Sequence, residues 1–355
     1  MKSVSFLLRS ALLCAASLLI VSSAFSTTLY RVTKVESPSV KPFYGFAINS
    51  SGETAGHAYG DRAFSTVGGV PIVMGTLGGT GSTAYGINDL GQVVGSSQLS
   101  GDNATHAFLY AGGVMTDLGT LGGASSVARA INGVGGIVGS SIGTSFDRRA
   151  FLYSGGVMTD LGTLGGAISD AYGINNLGQV VGSSYTSGSR PQQNAFLYSA
   201  AVMTNLGTLP GGSQSEALAI NDQGDVVGWS FTNKFNDMRA FLYRGGVMTN
   251  LGTLGGDSIA HDINNAGQVV GTSGFRPFLY SNGVLTDLNT VLDPVSGAGW
   301  NLVDVRGIND AGQILGLAGP GQNVVVLTPI PEPATFVLMF AGLGLISIYA
   351  HRRRQ

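Results

Sequence analysis

Few residues in this 355-residue chain have the types and spacing that chemistry needs. Gly139-Ser140-Ser141-Ile142-Gly143 fits G-x-S-x-G, the pattern that lifts a nucleophilic serine onto a strand-to-helix turn. The corresponding segments elsewhere read GSSQL, GSSYT and GWSFT, and no helix follows, so this one reads as a strand end. His57, His106 and His261 are too scattered for a recurrent metal site. The Asn-Asp-x-Gly segments at Asn88, Asn221 and Asn309 lack the alternating carboxylates and terminal Glu of a calcium loop, and turn formation accounts for them. No catalytic residue, metal site or cofactor is assigned.

One set of positions holds more varied chemistry. Phe46, Tyr85, Arg129, Tyr172, Leu218, His261 and Arg306 each stand two residues before an Ile-Asn pair. Aromatic rings offer apolar faces to sugars, and arginine offers several fixed donors. Tyr85, Arg129, Tyr172, His261 and Arg306 are therefore the candidate ligand-binding residues. The competing account is packing between structural units with incidental charges.

The elements that must position these residues are repeats. Ile-Asn-x-x-Gly-x-x-x-Gly begins at Ile48, Ile87, Ile131, Ile174, Ile220, Ile263 and Ile308, and successive Asn positions lie 39, 44, 43, 46, 43 and 45 residues apart. A period in this range belongs to propellers, solenoids or arrays. Within Ala171–Gly212, the short alternating run AYGIN is followed by Asn175-Asn176-Leu177-Gly178, a type I turn with Gly in the left-handed position. QVVGSS is the second strand, in which Gly182 marks a bulge or a close backbone approach. AFLYS is the third strand, and VMTNLGTL, like Val114–Leu121, Val157–Leu164 and Val247–Leu254, the fourth. Four strands in about 43 residues make one propeller blade. At the ends, Leu29–Val35 has the spacing of a fourth strand, and the last unit, with Asn323–Thr328 as its third, lacks one. The N-terminal strand therefore completes the seventh blade and leaves no long open edge. An open β-solenoid, the other architecture with such a period, wants shorter coils and capping ends.

AFLYSGGVMTDLGTLGG followed by AxxINxxGQVVG resembles the HAF-type repeats of bacterial extracellular proteins over about Leu29–Thr328. The resemblance implies an exported repetitive surface protein. Both chain ends read as addresses. Residues 1–26 join Lys2 and Arg9 to an apolar run and small residues, the layout of a secretory signal peptide. The single cysteine, Cys14, lies within it, so the processed chain has neither disulfides nor thiolate metal ligands. The other end, 330–355, places Pro331-Glu332-Pro333 before an apolar stretch, Ala334–Ala350, and Arg352, Arg353 and Arg354. Seventeen residues are at the short limit for a transmembrane helix, and the arginines favour the cytoplasmic side. This order resembles the PEP-CTERM sorting signal. It implies transient insertion in the inner membrane, cleavage near the motif by an exosortase, and a host that makes exopolysaccharide or biofilm. The expected organisation is thus a signal (1–26), an all-β seven-bladed propeller (27–329) and a sorting segment with one membrane helix (330–355).

Removing the end residues from 18 basic and 20 acidic side chains leaves 13 and 19, a net charge of −6. A mildly acidic body with no basic stripe argues against nucleic acid. Two functions fit: a non-catalytic surface or biofilm-matrix protein that binds exopolysaccharide or another surface partner, and a propeller enzyme acting on polysaccharide. An enzyme should break the repeat symmetry with clustered carboxylates or His/Tyr pairs. None stands out in the sequence, which favours binding.

Replacing Pro331-Glu332-Pro333 with three alanines should leave membrane insertion intact but trap the uncut chain in the inner membrane. Replacing Arg352–Arg354 with serine should weaken retention, because arginine is costly to move through lipid. Mass spectrometry of protein recovered outside the cell should find a C-terminus close to Pro333. Recovery only of chains ending in Gln355 rules the processing out.

Overall fold

A computed structural model describes residues 28–36, 43–58, 62–145, 147–232, 237–319 and 323–331. The expected signal 1–26, Glu332, Pro333, the apolar stretch 334–350 and Arg352–Arg354 lie outside them. The chain divides into two compact units, Arg31–Thr328 and a terminal unit of Met1–Tyr30 with Pro329–Gln355. In the terminal unit, Ile330 N donates to Leu29 O at 2.8 Å. Among the described residues no helix is long and apolar enough to cross a membrane.

Arg31–Thr328 is a seven-bladed β-propeller. The fourth blade shows the pattern: Gly165–Ile174, Val180–Thr186, Gln193–Ser199 and Val202–Gly207 pair in chain order, each antiparallel to the next. The first strand of every blade lies innermost and touches the first strand of the next blade. In the seventh blade the order is Leu302–Ile308, Ile314–Ala318, Asn323–Pro329 and then Tyr30–Lys34, the N-terminal strand. Val35 N donates to Val324 O at 2.9 Å, and Val32 N to Ser296 Oγ at 3.1 Å. The last blade is closed by Tyr30–Lys34, the first strand among the described residues.

The blades pack through the apolar residues of the repeat. Phe64, Phe108, Phe151, Phe196, Phe241 and Phe278, the aromatic centre of each third strand, are fully buried. Phe108 sits with Ala55, Ala63, Met74, Ala84 and Val93, so each ring fills the space between two blades. In the seventh blade Val325 takes the equivalent register, opposite Gly316. Burying one such ring is worth about 2–3 kcal/mol, and with no disulfide available this burial is the main apolar support.

The fourth strand is shorter than the sequence suggests. It ends at Asp117, Asp160 and Asn250 in three blades, and the following Leu-Gly-Thr-Leu crosses to the next blade. The Asp or Asn side chain accepts from the backbone two residues on, as Asp117 Oδ1 does from Gly119 N at 2.7 Å, where Gly119 has φ +73°. This local turn stops the ladder.

The repeated asparagine has a role that turn chemistry alone does not describe. In each hairpin its Oδ1 accepts backbone amides of its own turn, as Asn175 does from Leu177 and Gln179 at 3.1 and 2.9 Å. Its Nδ2 reaches the neighbouring blade. Asn49 donates to Asn88 O, Asn88 to Asn132 O, Asn132 to Asn175 O and Asn175 to Asn221 O. Asn221 donates to Asn264 O, Asn264 to Asn309 O, and Asn309 closes the circle on Asn49 O at 2.9 Å. All seven asparagines are buried.

Asn175→Asp tests this ring. The substitution keeps an acceptor for the turn but loses both Nδ2 donations, to Gln179 Oε1 at 2.7 Å and Asn221 O at 3.0 Å. It also sets a carboxylate oxygen against a carbonyl. The expected cost is about 2–4 kcal/mol, read as a drop of several degrees in melting temperature. A variant that melts with the wild type shows that the ring does not hold the blades.

Candidate functional site

The inner strands carry the candidate residues, and the fixed glycines determine how. At Gly182 a Cβ would lie 1.9 Å from Asp170 O, and the equivalent glycines 56, 95, 139, 228 and 271 face the same conflict at 1.8 to 2.0 Å. The second strand approaches the first so closely that only glycine fits. One residue of the first strand is then left out of the ladder. Register shifts fall between Gly45 and Ala47, Ala84 and Gly86, Ala128 and Ala130, and Ala171 and Gly173. Others fall between Ala217 and Ala219, Ala260 and Asp262, and Val305 and Gly307. The skipped residues are Phe46, Tyr85, Arg129, Tyr172, Leu218, His261 and Arg306, the seven varied positions. Bulges re-aim side chains in this way beside functional sites.

Part of this set is drawn together across blades. The rings of Phe46 and Tyr85 lie 5.7 Å apart. The Arg129 guanidinium sits 4.9 Å from the Tyr85 ring centre and 5.9 Å from that of Tyr172. On the opposite arc, Arg306 is held by Asp304 through Nε at 2.6 Å, and its charge adds to burial in pushing the His261 pKa down to about 3. His261 Nε2 also meets Thr272 Oγ1 at 3.2 Å. Leu218 stands between the two arcs in chain order. Towards the Asn ring, the Ile-Asn-x triplets of all seven blades line a polar cavity of about 230 Å³.

The structure also assembles a group that the sequence did not single out. Asp170 and Glu216 lie on neighbouring blades, each four residues before the repeat Ile, a position that elsewhere holds Tyr44, Thr83, Val127, Ile259 and Asp304. Glu216 Oε2 accepts from Gln193 Nε2 at 2.7 Å and from Ser183 Oγ at 3.2 Å. Asp170 is opposite Ser183 in the ladder and bound by Arg148 at 2.8 Å. Burial raises the Glu216 pKa, with the Asp170 charge adding to it against the hydrogen bonds it accepts. Burial first, then Glu216 and Asp170, likewise raise that of Tyr172. Aligning the repeats on their Ile and reading four residues back would have revealed this pair.

The other motifs have structural partners. Ser141 is only 1% exposed, mid-strand, and its Oγ accepts from Leu121 N at 2.9 Å. His106 pairs with Asp117 at 2.9 Å, and His57 Nδ1 lies 3.3 Å from Thr83 Oγ1. Among the described residues no three His, Cys, Asp or Glu side chains are placed to share a metal ion. The aspartates that follow the ring asparagines brace the neighbouring turn: Ser50 N donates to Asp89 Oδ1, Asn176 N to Asp222 Oδ1 and Asn265 N to Asp310 Oδ1, at 2.8 to 2.9 Å.

The PEP-CTERM protein-sorting motif matches residues 329–354. That motif implies export, processing by an exosortase and a cell-surface or extracellular location. Among curated proteins, none matches the sequence. Among solved structures, YCF48 bound to D1 peptide is similar at a TM-score of 0.52 and 12% identity, over 88% of this chain and 98% of that one. The WD40 β-propeller domain of Doa1 gives 0.49 and 11%, over 84% and 97%. The putative TolB from Agrobacterium tumefaciens gives 0.46 and 13%, over 65% and 92%. At such identities the likeness to YCF48 concerns the propeller fold alone.

His261 and Asp262 give a test by pH. Burial pushes the Asp262 carboxyl up to about 7, against the backbone amides of Ile308 and Ile263 that it accepts at 2.9 Å. Between about pH 4 and 7 the native chain keeps a proton that the unfolded chain releases, so this residue's contribution to stability falls as pH rises. For His261 the unfolded chain gains a proton below about 6.5 that the native chain refuses until about 3, so its contribution falls as pH drops. The two slopes oppose each other between about pH 4 and 6.5. Stability of Asp262→Asn should therefore rise with pH across that window more steeply than wild type, and that of His261→Gln should fall. Melting temperatures that run parallel to wild type in both variants overturn the assignment.

Proposed function

We propose that this is a non-catalytic cell-surface or biofilm-matrix protein that binds exopolysaccharide or a similar glycan on the face formed by the bulge residues. The organisation proposed with it is a removed signal over 1–26, the propeller over 27–329 and a cleaved sorting segment over 330–355. The observation that carries the reading is where the variation falls. Asn and both glycines of the motif are kept in all seven repeats, while the one side chain per blade released from the ladder is of five different types across the seven. A frame built to present seven side chains of five types, one from each blade, suits recognition. Tyrosine faces and arginine donors are the groups that stack on sugar rings and bond hydroxyls.

The second reading, a propeller that cleaves polysaccharide, draws on Asp170 and Glu216. Both carboxylates are already engaged, Asp170 by Arg148 and Glu216 by Gln193 and Ser183, as in a clamp between blades.

A glycan array probed with the full chain, together with a check for product release from host exopolysaccharide, separates the two. Replacing Tyr85, Arg129, Tyr172, His261 and Arg306 together with alanine should abolish glycan retention while the circular dichroism stays β-like. A folded variant with unchanged binding moves the site to the loops 186–194 and 232–238. Release of oligosaccharide products supports the enzyme instead.

A further inference from the structure

Arg129 is held in an unusual way for a cation inside a fold. Its guanidinium lies between two tyrosine rings from neighbouring blades, 4.9 Å from Tyr85 and 5.9 Å from Tyr172. Its Nε is shut off from solvent and has no hydrogen-bond partner. Among the described residues Arg129 forms no ion pair, whereas the other arginine of the bulge ring, Arg306, is bound to Asp304 at 2.6 Å. The carboxylate two residues before Tyr172, Asp170, is already taken by Arg148 at 2.8 Å. Arg129 is thus pre-positioned by cation–π contact while its charge stays unmatched. A buried polar group left without a partner is costly, and where a fold keeps one the missing partner is often a ligand or water.

We infer that the ligand bound on this face is an acidic sugar, whose carboxylate is held by Arg129 while Tyr85 or Tyr172 receives the sugar ring. The inference rests on the glycan-binding reading above and narrows it to one chemical class. A planar guanidinium matches a planar carboxylate through two parallel charge-assisted bonds, which a neutral sugar cannot supply. Stacking alone accepts many sugars, so Arg129 sets the preference for charge. Glu216 and Asp170 border the same arc. Arg148 offsets the Asp170 charge, and Ser183 and Gln193 hold Glu216 in place, so among the described residues neither carboxylate is bonded to Arg129.

The test uses the full chain in mild detergent, with trigalacturonate and its fully methyl-esterified form as probes in calorimetry. The two probes share rings and hydroxyls and differ only in whether their three carboxyl groups are charged or methyl-esterified. The acid should bind about tenfold or more tightly than the ester, the loss expected for one bidentate charge-assisted contact. Arg129→Met should erase that difference, and Arg129→Lys, which keeps the charge but not the fork, should restore only part of it. Should Arg129→Met fail to fold, the comparison of acid with ester on the wild type decides alone. Equal binding of acid and ester overturns the inference and leaves the glycan reading standing. Binding of neither probe, nor of any glycan on the array, overturns both.

Discussion

Each blade gives one amide hydrogen to the next, and the seventh gives its own back to the first. These seven Asn-to-carbonyl bonds lie at the inner ends of the hairpins, where the asparagines are only 3 to 5% exposed. A donor left unmade in such a place costs more than the bond contributes when formed, so loss of one asparagine is felt by two blades. The same side chain shapes its own turn through Oδ1. Local folding of a hairpin and docking of its neighbour therefore depend on one residue, as suits an array whose units contact only their neighbours. The ring requires every asparagine to arrive at one depth in the channel. The spacing between them nevertheless runs from 39 to 46 residues, and the loops further out absorb the difference.

The fixed glycines complete this frame and release one side chain per blade from the ladder. Where the second strand would need a Cβ, it meets a carbonyl of the first strand, and the ladder accommodates the close approach by skipping one residue. That residue is relieved of pairing in every blade. Evolutionary change there costs little in backbone hydrogen bonding, so tyrosine, arginine, histidine, leucine and phenylalanine all occupy it. The sorting motif at 329–354 implies export and a cell-surface or extracellular location for this ring.

Much of the fold was legible in the chain. The Ile-Asn-x-x-Gly period marked the blades, the turn followed from Asn175 and Gly178, and Leu29–Val35 was recognisable as the missing strand of the last blade. The reading of Val114–Leu121 as a single strand was too long, because Asp117 ends the ladder by capping Gly119. The candidate set of varied residues was also visible, though not that each is a bulge. Asp170 and Glu216 were overlooked because they belong to different repeats and neither is near the other in sequence. Asp262 was overlooked for a related reason. It occupies a place where the other repeats carry Gly or Ala, and only the docking of the next blade buries its carboxylate against Ile308 N.

The sequence by itself therefore determined the number of blades, the turn in each and the sorting motif at 329–354, since periodicity, turn chemistry and local composition are properties of short segments. It could not determine what happens where segments from different repeats meet. That Asn Nδ2 leaves its own hairpin for the neighbour, that Arg129 lies between Tyr85 and Tyr172, and that Ser183 brings Asp170 and Glu216 to one place are consequences of how the seven sheets close into a circle. Closure fixes distances between residues some 40 positions apart to within hydrogen-bonding range, and no pattern along the chain encodes those distances.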